Sequence, residues 1–259
     1  MTHDNLANSK KSKFLLKKAT SIEEHISRYL LVTQKYSQKG YLKGIEKIQI
    51  HKKFENLLFE NYINLNNELD LFDDSTNEGK LISDGFIELF IDKYHWNSTC
   101  FLASDGSNTF GSARLITKDS QGLPTFKDPG ILISDEFGYL CQENCAEFSQ
   151  FVVKNGECAH ISVGLLKLAF QFSTSVMNIK KWVATIDNSV LRFLNSRFFN
   201  FNLPAIGPCV YYLGSECTPV YIDLERTLEN SARQQSSRAI AEYILDNNSE
   251  GFEDLEIEY

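Results

Sequence analysis

The sequence predicts a mixed α/β (α+β) fold: a mixed central sheet with flanking helices and an extra helical N-terminal region. Three observations carry this. Helical periodicity dominates the chain up to about Ile91. Short apolar or alternating runs separated by turn residues begin at Thr99. Beyond Ser162, apolar or amphipathic helical stretches alternate with strand-like runs, the order of a layered α/β architecture.

Residues 1–20 read as a flexible, lysine-rich lead-in. Ser21-Ile22-Glu23-Glu24 is a capping-box pattern, and Ile22, Ile26, Tyr29, Leu30 and Thr33 recur at helical spacing. A helix therefore runs from about Ile22 to Tyr36 and stops near Gly40. A second helix is expected over Ile45 to Leu69, then a loop of acids, Ser, Asn and Gly from Asp70 to Lys80. Leu81 to Ile91 reads as a helix, with strand as the alternative. Thr99 to Ala103 and Phe110 to Thr117 flank the turn signal Ser104-Asp105-Gly106-Ser107-Asn108, which makes them an antiparallel hairpin. Residues 118–143 are loop-like, and Ala146 to Lys154 is a strand. Ser162 to Met177 is apolar on nearly every face, as a buried helix is. A strand over Lys181 to Ile186, an amphipathic helix over Asn188 to Phe199 and strands over Cys209 to Leu213 and Val220 to Leu224 close the order. One more helix fits 225–245, and acidic Asp246 to Tyr259 reads as a mobile tail.

A chain of 259 residues suits one large domain or a core with an appendage. Apolar residues make up 42% of it, with 19 Phe and 11 Tyr, enough for a substantial core. A net charge of -8, a pI near 5.2 and the lack of a long basic stripe argue against nucleic-acid binding. The six cysteines form no CxxC pair, and no His or Cys pair follows Cys141 and Cys145 at zinc spacing. They read as free thiols in a reducing compartment, with no metal site. No apolar run approaches the roughly 18 residues of a membrane span, and the polar N-terminus lacks a signal-peptide apolar region. A soluble, cytoplasmic protein is expected.

Four motifs in order give a resemblance. Asp92-Lys-Tyr-His-Trp-Asn-Ser98 with Phe101-Leu-Ala103, and then Gly111-Ser-Ala-Arg-Leu115, look like the first strands of the core of N-acyl amino acid synthases and acyl-homoserine-lactone autoinducer synthases. Glu147-Phe-Ser-Gln-Phe151 sits where those families carry a Glu-x-Ser-Arg motif. Ile206-Gly-Pro208, Tyr211-Tyr-Leu-Gly214 and Pro219 to Leu224 resemble their closing strands. Arg28, Tyr29 and Gly40-Tyr41 resemble the helix and turn that cover their site. The likeness spans about residues 21–225 and implies a GNAT acyl-CoA N-acyltransferase-like fold, with an insertion at about 42–90 and a C-terminal helix and acidic tail over 226–259. Two departures stand out: Gln150 replaces the usual Arg, and His95 stands where a second Asp is common.

The chemistry the resemblance implies is attack of an amine on a thioester. The amine must lose a proton, so a nearby carboxylate serves as base, and the oxyanion needs backbone N–H donors at a bulge between splayed strands. Glu147, a carboxylate inside an apolar strand, is the base candidate; a structural ion pair with Arg114 is the competing reading. Asp92 is a second catalytic candidate, or a turn residue. Arg114 holds a substrate carboxylate, orients Glu147, or forms that ion pair. Arg28 reaches the substrate from the covering helix, or lies on a solvated face. Ser149 shares the face of Glu147 by strand alternation, and Gln150 hydrogen-bonds but carries no charge. Helices holding Phe170 and Phe193 either line an acyl tunnel or form ordinary core. His160 is a pantetheine neighbour, a cap or a packed residue.

Lys154 to Ser162 lacks the (Gln/Arg)-x-x-Gly-x-(Gly/Ala) spacing that holds the coenzyme A pyrophosphate. That favours acyl-phosphopantetheine on an acyl carrier protein over acyl-CoA as donor, with no permanently bound cofactor. Lys154, Lys180, Lys181 and Arg197 form a docking patch for such a partner or are dispersed charge. The expected function is transfer of a fatty acyl group to the amine of an amino acid or similar small molecule. An acyl-CoA-dependent acetyltransferase and a non-catalytic binding module are the alternatives.

Overall fold

Alternation along the strands sorts the side chains of one large sheet onto two faces, and the two faces meet different helices. The computed structural model describes residues 14–43, 45, 48–51, 82–83, 86–120, 122–154, 158–245 and 250–258. Strands are β1 (Phe14–Lys18), β2 (Ile48–His51), β3 (Ile82–Ser83), β4 (Phe86–Leu89), β5 (Ser98–Ser104), β6 (Thr109–Thr117), β7 (Ala146–Val153), β8 (Lys181–Asp187), β9 (Val210–Tyr212), β10 (Ser215–Asp223) and β11 (Leu255–Glu258). Helices are α1 (Ile22–Gln38), α2 (Pro124–Lys127), α3 (Cys158–Gln171), α4 (Asn188–Leu194), α5 (Leu224–Arg233) and α6 (Gln235–Leu245). Among the described residues the large sheet runs β11-β1-β5-β6-β7-β8-β10-β9, and a small one runs β2-β4-β3. The pairs β1–β11 and β7–β8 are parallel; the other pairs are antiparallel.

On one face, Leu16, Phe101, Leu115, Phe148, Trp182 and Ile222 pack with α3, α5 and α6 into the main core. Helix α3 lies so close to β6 that a Cβ on Gly111 would come within 2.7 Å of Ile161, so the Gly of the Gly-Ser-Ala-Arg-Leu run is a packing requirement. The other face carries Ser112, Arg114 and Ile116 from β6, with Glu147 and Ser149 from β7. Ile116 and Val183 there join Tyr94, Leu123 and Leu140 in a second cluster.

Helix α1 covers part of this second face. Its capping box forms: the Glu24 N–H donates to Ser21 Oγ at 3.2 Å, and the Ser21 N–H donates to Glu24 Oε2 at 3.1 Å. Such a cap contributes about 1 kcal/mol. Six consecutive residues, Arg28 to Thr33, are buried, so the middle of α1 is enclosed on every side. The Phe90 N–H donates to Thr33 Oγ1 at 2.9 Å, which ties the chain after β4 to the helix. The β5–β6 hairpin closes as expected, with Asp105 Oδ1 accepting from the N–H groups of Ser107 and Asn108.

Several elements differ from expectation. Within the lysine-rich lead-in, Phe14–Lys18 is a strand between β5 and β11. Phe14 and Leu16 are buried in the main core, and the neighbouring lysines obscure that short alternation. The acidic end is not a free tail throughout: Leu255–Glu258 pairs with β1, and buried Phe252 stacks on Tyr243 with centroids 4.1 Å apart. Ile82–Ser83 and Phe86–Leu89 are strands, not a helix, and so is Ile48–His51. The rest of the helix expected to Leu69 lies outside the described residues. The helix over 225–245 is two, broken at Gln234 by an extended backbone (φ -101°, ψ 128°). The loop-like 118–143 holds α2 and a 3-10 turn over Asp135–Gln142. Among the described residues, no helix is long and apolar enough to cross a membrane.

Candidate active site

Strands β7 and β8 pair at two positions, Ala146 with Trp182 and Glu147 with Val183. Beyond them β8 continues beside β10 as far as the pair Asp187–Cys217, while β7 turns away. The cause is local. Opposite the single residue Ala113, β7 carries two, Gln150 and Phe151, and Gln150 has φ 47°. Such a bulge bends its strand, and a non-glycine residue in the left-handed region costs roughly 1–2 kcal/mol.

The split holds a cavity of about 630 Å³, within the roughly 300–1,000 Å³ of small-ligand sites. Ser149, Gln150, Thr185 and Asp187 line it on the α1 side, with Lys35, Lys39 and Tyr41 from the end of α1. Through the split it continues as an apolar arm walled by Phe148, Leu166, Trp182, Leu194, Leu228 and Ile244. None of these six is more than 8% exposed. Protein interiors hold few voids larger than a water molecule, and apolar cavities bind apolar ligands. Of the two phenylalanines expected at a tunnel, Phe170 lines the cavity. Phe193 stacks on Phe198 and is 44% exposed.

Behind the wall on the α1 side lie two buried arginines. Arg114 donates to Asp92 through two bonds of 2.8 and 2.7 Å, and its Nε donates to Ser149 Oγ at 2.9 Å. The competing reading, an ion pair between Glu147 and Arg114, is not what forms: the turn before β5 brings Asp92 to Arg114 instead. This grip occupies both oxygens of the Asp92 carboxylate, which orients Arg114. Arg28 is fully buried, not on a solvated face. Its Nη1 donates to Gln150 Oε1 at 2.7 Å and to Ser112 Oγ at 3.1 Å, and its guanidinium lies 4.1 Å from the Tyr29 ring centre. Arg28 Nε, Arg28 Nη2 and Gln150 Nε2 are buried donors with no hydrogen-bond partner among the described residues. His95 Nδ1 hydrogen-bonds the Tyr29 hydroxyl. Burial and the charges of Arg28 and Arg114 lower the His95 pKa, which favours the neutral ring.

Glu147 is 4% exposed. The Thr125 N–H donates to its Oε2 at 2.7 Å. Burial pushes its pKa up to about 7, against the Thr125 hydrogen bonds and the Arg114 charge, which lower it. Glu147 is not among the residues lining the cavity, but a neighbour of its neighbour is: Thr125 Oγ1 lies 3.1 Å from Thr185 Oγ1. At the mouth, the Tyr41 hydroxyl donates to Asp187 Oδ2 at 2.8 Å, and Ser215 donates to the same oxygen. Burial alone would raise the Asp187 pKa, but the hydrogen bonds from Ser189, Ser215 and Tyr41 hold it well below the usual range. A Cβ on Gly214 would meet the Gly40 carbonyl oxygen at 2.7 Å, so the β9–β10 turn seats directly on the turn after α1.

The structure thus gathers Glu147, Ser149, Gln150, Arg114, Asp92 and Arg28 on one side of the split, with Ser149 and Gln150 reaching the cavity wall. Thr125, Thr185, Tyr41 and Asp187 were not singled out from sequence. Asp187-Asn188-Ser189 carries a helix-cap signal, but lone threonines carry none. Of the four basic residues, Lys180 pairs with Glu225 at 2.6 Å and Lys181 with Glu143 at 2.7 Å. His160 Nδ1 lies 3.4 Å from Asp254 Oδ2, beside Phe252 and away from the split. Residues 155–157 of the stretch compared with a pyrophosphate loop lie outside the described residues. No group of metal-ligating side chains occurs among the described residues.

No protein-family model matches the chain, and no curated protein matches it. Solved structures do. The N-acyl amino acid synthase FeeM from uncultured soil microbes superposes with a TM-score of 0.54 at 13% identity, over 86% of this chain and 97% of FeeM. The CoA-dependent acyl-homoserine lactone synthase BjaI gives 0.46 at 14% identity, over 82% and 92% of the two chains. TofI, solved in a ternary complex with an inhibitor and MTA, gives 0.44 at 16% identity, over 84% and 95%. The chain has a GNAT-type mixed α/β fold, the fold of the N-acyl amino acid synthase FeeM.

Proposed function

We propose that the protein is an N-acyltransferase that moves a fatty acyl group from a phosphopantetheine thioester onto the amine of an amino acid or similar small molecule. The cavity through the split sheet carries this reading. Its apolar arm suits an acyl chain, and a thioester with its chain in that arm would put the carbonyl carbon near the β7 bulge, which lines the polar side. The β7–β8 ladder stops at Glu147–Val183, so the edge of β7 that faces the split has no strand beside it to take up N–H groups. Donors at such an edge stabilise a tetrahedral oxyanion. Gln150 lines the cavity and its Nε2 has no partner among the described residues, which suits the carboxylate of an amino-acid acceptor; Arg28, behind the wall, holds the Gln150 amide in place through its Oε1. Arg114, held by Asp92, fixes Ser149 at the wall. Glu147, with its raised pKa, is the proton acceptor.

An acyl carrier protein is the proposed donor in preference to acyl-CoA, on the absence of pyrophosphate-loop spacing after Lys154. Acyl thioesters of both kinds are cytoplasmic metabolites, and we place the protein there. The test is direct: purified protein is mixed with dodecanoyl-acyl carrier protein or dodecanoyl-CoA and each of the common amino acids, and products are read by mass spectrometry. An N-dodecanoyl amino acid formed faster from the carrier protein supports the proposal. Faster formation from dodecanoyl-CoA overturns the donor assignment, and no amide from either donor overturns the function.

A further inference from the structure

Glu147 is sealed from the cavity, so as a base it needs a route to the substrate. We propose that the hydroxyls of Thr185 and Thr125 form a two-step proton relay between the acceptor amine and Glu147. The inference rests on the amide-forming reading of the site and adds two residues to it. Thr185 lies on β8 two positions past Val183, the ladder partner of Glu147, and so on the same face of the sheet. It lines the cavity. Its Oγ1 is 3.1 Å from Thr125 Oγ1. Thr125 is fully buried and its N–H donates to Glu147 Oε2 at 2.7 Å, which seats the residue against the carboxylate that the relay's last step would reach. A hydroxyl donates and accepts at once, so two in series carry a proton without either becoming charged.

The balance is as follows. The acceptor arrives as an ammonium ion. It gives one proton to Thr185 Oγ1 as Thr185 passes its own to Thr125 and Thr125 passes its own to the Glu147 carboxylate. The neutral amine forms the C–N bond to the thioester carbon. The second amine proton, acidified by that bond, goes to the thiolate as the C–S bond breaks. Glu147 later returns its proton to solvent, so each turnover yields one amide, one thiol and one proton. The groups that bear on the Glu147 charge are Arg114 on β6, Asp92 before β5, Tyr94 two residues on, Cys145 just before β7 and Tyr212 on β9.

The experiment compares wild type with Thr185→Val and Thr185→Ser, using dodecanoyl-acyl carrier protein or dodecanoyl-CoA with the amino acids above. Thr185→Val should lower kcat by about 10²-fold and leave the donor KM unchanged, and Thr185→Ser should restore most of the rate. The pH profile separates relay from scaffold. Wild-type kcat should level off above the Glu147 ionisation, whereas Thr185→Val should keep rising towards the pKa of the amine itself. Wild-type rate in Thr185→Val, or a lowered rate with the wild-type profile, overturns the relay while leaving the amide-forming reading intact. Should Thr185→Val fail to fold, Thr185→Ala read in the same way decides. A wild type that makes no amide from any combination overturns that reading and the relay with it.

Discussion

Arg114 grips Asp92 with two bonds of 2.8 and 2.7 Å while its third nitrogen holds Ser149 at 2.9 Å. Removing one partner of a buried ion pair leaves the other uncompensated. Asp92→Asn should cost about 3 kcal/mol in urea unfolding, discounted towards 2 because the Asp92 side chain keeps 22% exposure. The double variant Asp92→Asn/Arg114→Met should be less destabilised than the two single changes added together. A double-mutant cycle measures that coupling.

Glu147 ties stability to pH. Its folded pKa, about 7, lies above the unfolded value near 4.5, so the folded state binds the extra proton between those two pH values. Stability is therefore full below about pH 4.5 and is lost as pH rises through about 7, by on the order of 3 kcal/mol. Glu147→Gln should flatten that part of the curve in urea titrations and abolish amide formation.

Leu228 and Ile244, from the two C-terminal helices, wall the apolar arm. Each methylene buried there should raise kcat/KM about fourfold, from about 0.8 kcal/mol per methylene, until the chain meets the far wall. Ile244→Ala should move the optimum to longer acyl donors and Ile244→Phe to shorter ones. A donor series of rising chain length reads both.

Arg28 holds Gln150, whose Nε2 has no partner among the described residues and which lines the cavity. Wild type should discriminate an amino acid from its amide by about 10- to 150-fold, from the roughly 1.5–3 kcal/mol of a hydrogen bond to a charged group. Arg28→Gln should lose most of that discrimination. The two kcat/KM ratios give the result.

Gln150 accepts from Arg28 at 2.7 Å. An arginine there has no acceptor to offer and would place a second cation beside a fully buried one. Gln150→Arg should therefore lower the melting temperature and give no gain in rate, as a thermal melt and the amide assay will show.

Much of this was legible in the sequence because it rests on local pattern. The capping box at Ser21, the turn at Asp105 and the apolar helix after Ser162 follow from residues close together in the chain. The gathering of Arg28, Arg114, Glu147, Ser149 and Gln150 was legible through alternation and resemblance. Their pairing was not. Arg114 meets Asp92 and Gln150 meets Arg28 because of strand register and a bulge, which depend on partners far away in sequence. Strands β1 and β11 escaped notice for a related reason: Phe14 and Leu16 are too few to outweigh adjacent lysines, and alternating acids at Glu256 and Glu258 read as disorder until β1 supplies a partner.

The apolar arm also governs traffic. Its walls are buried side chains, and Ser149, Gln150 and Thr185 line its polar end. An acceptor seated first would stand between the acyl tail and the space built for it. Under the proposed function, the thioester is therefore threaded before the amine arrives. Under that same reading, the finished amide must withdraw its tail past the same polar end by which the donor entered, so entry and exit share one route.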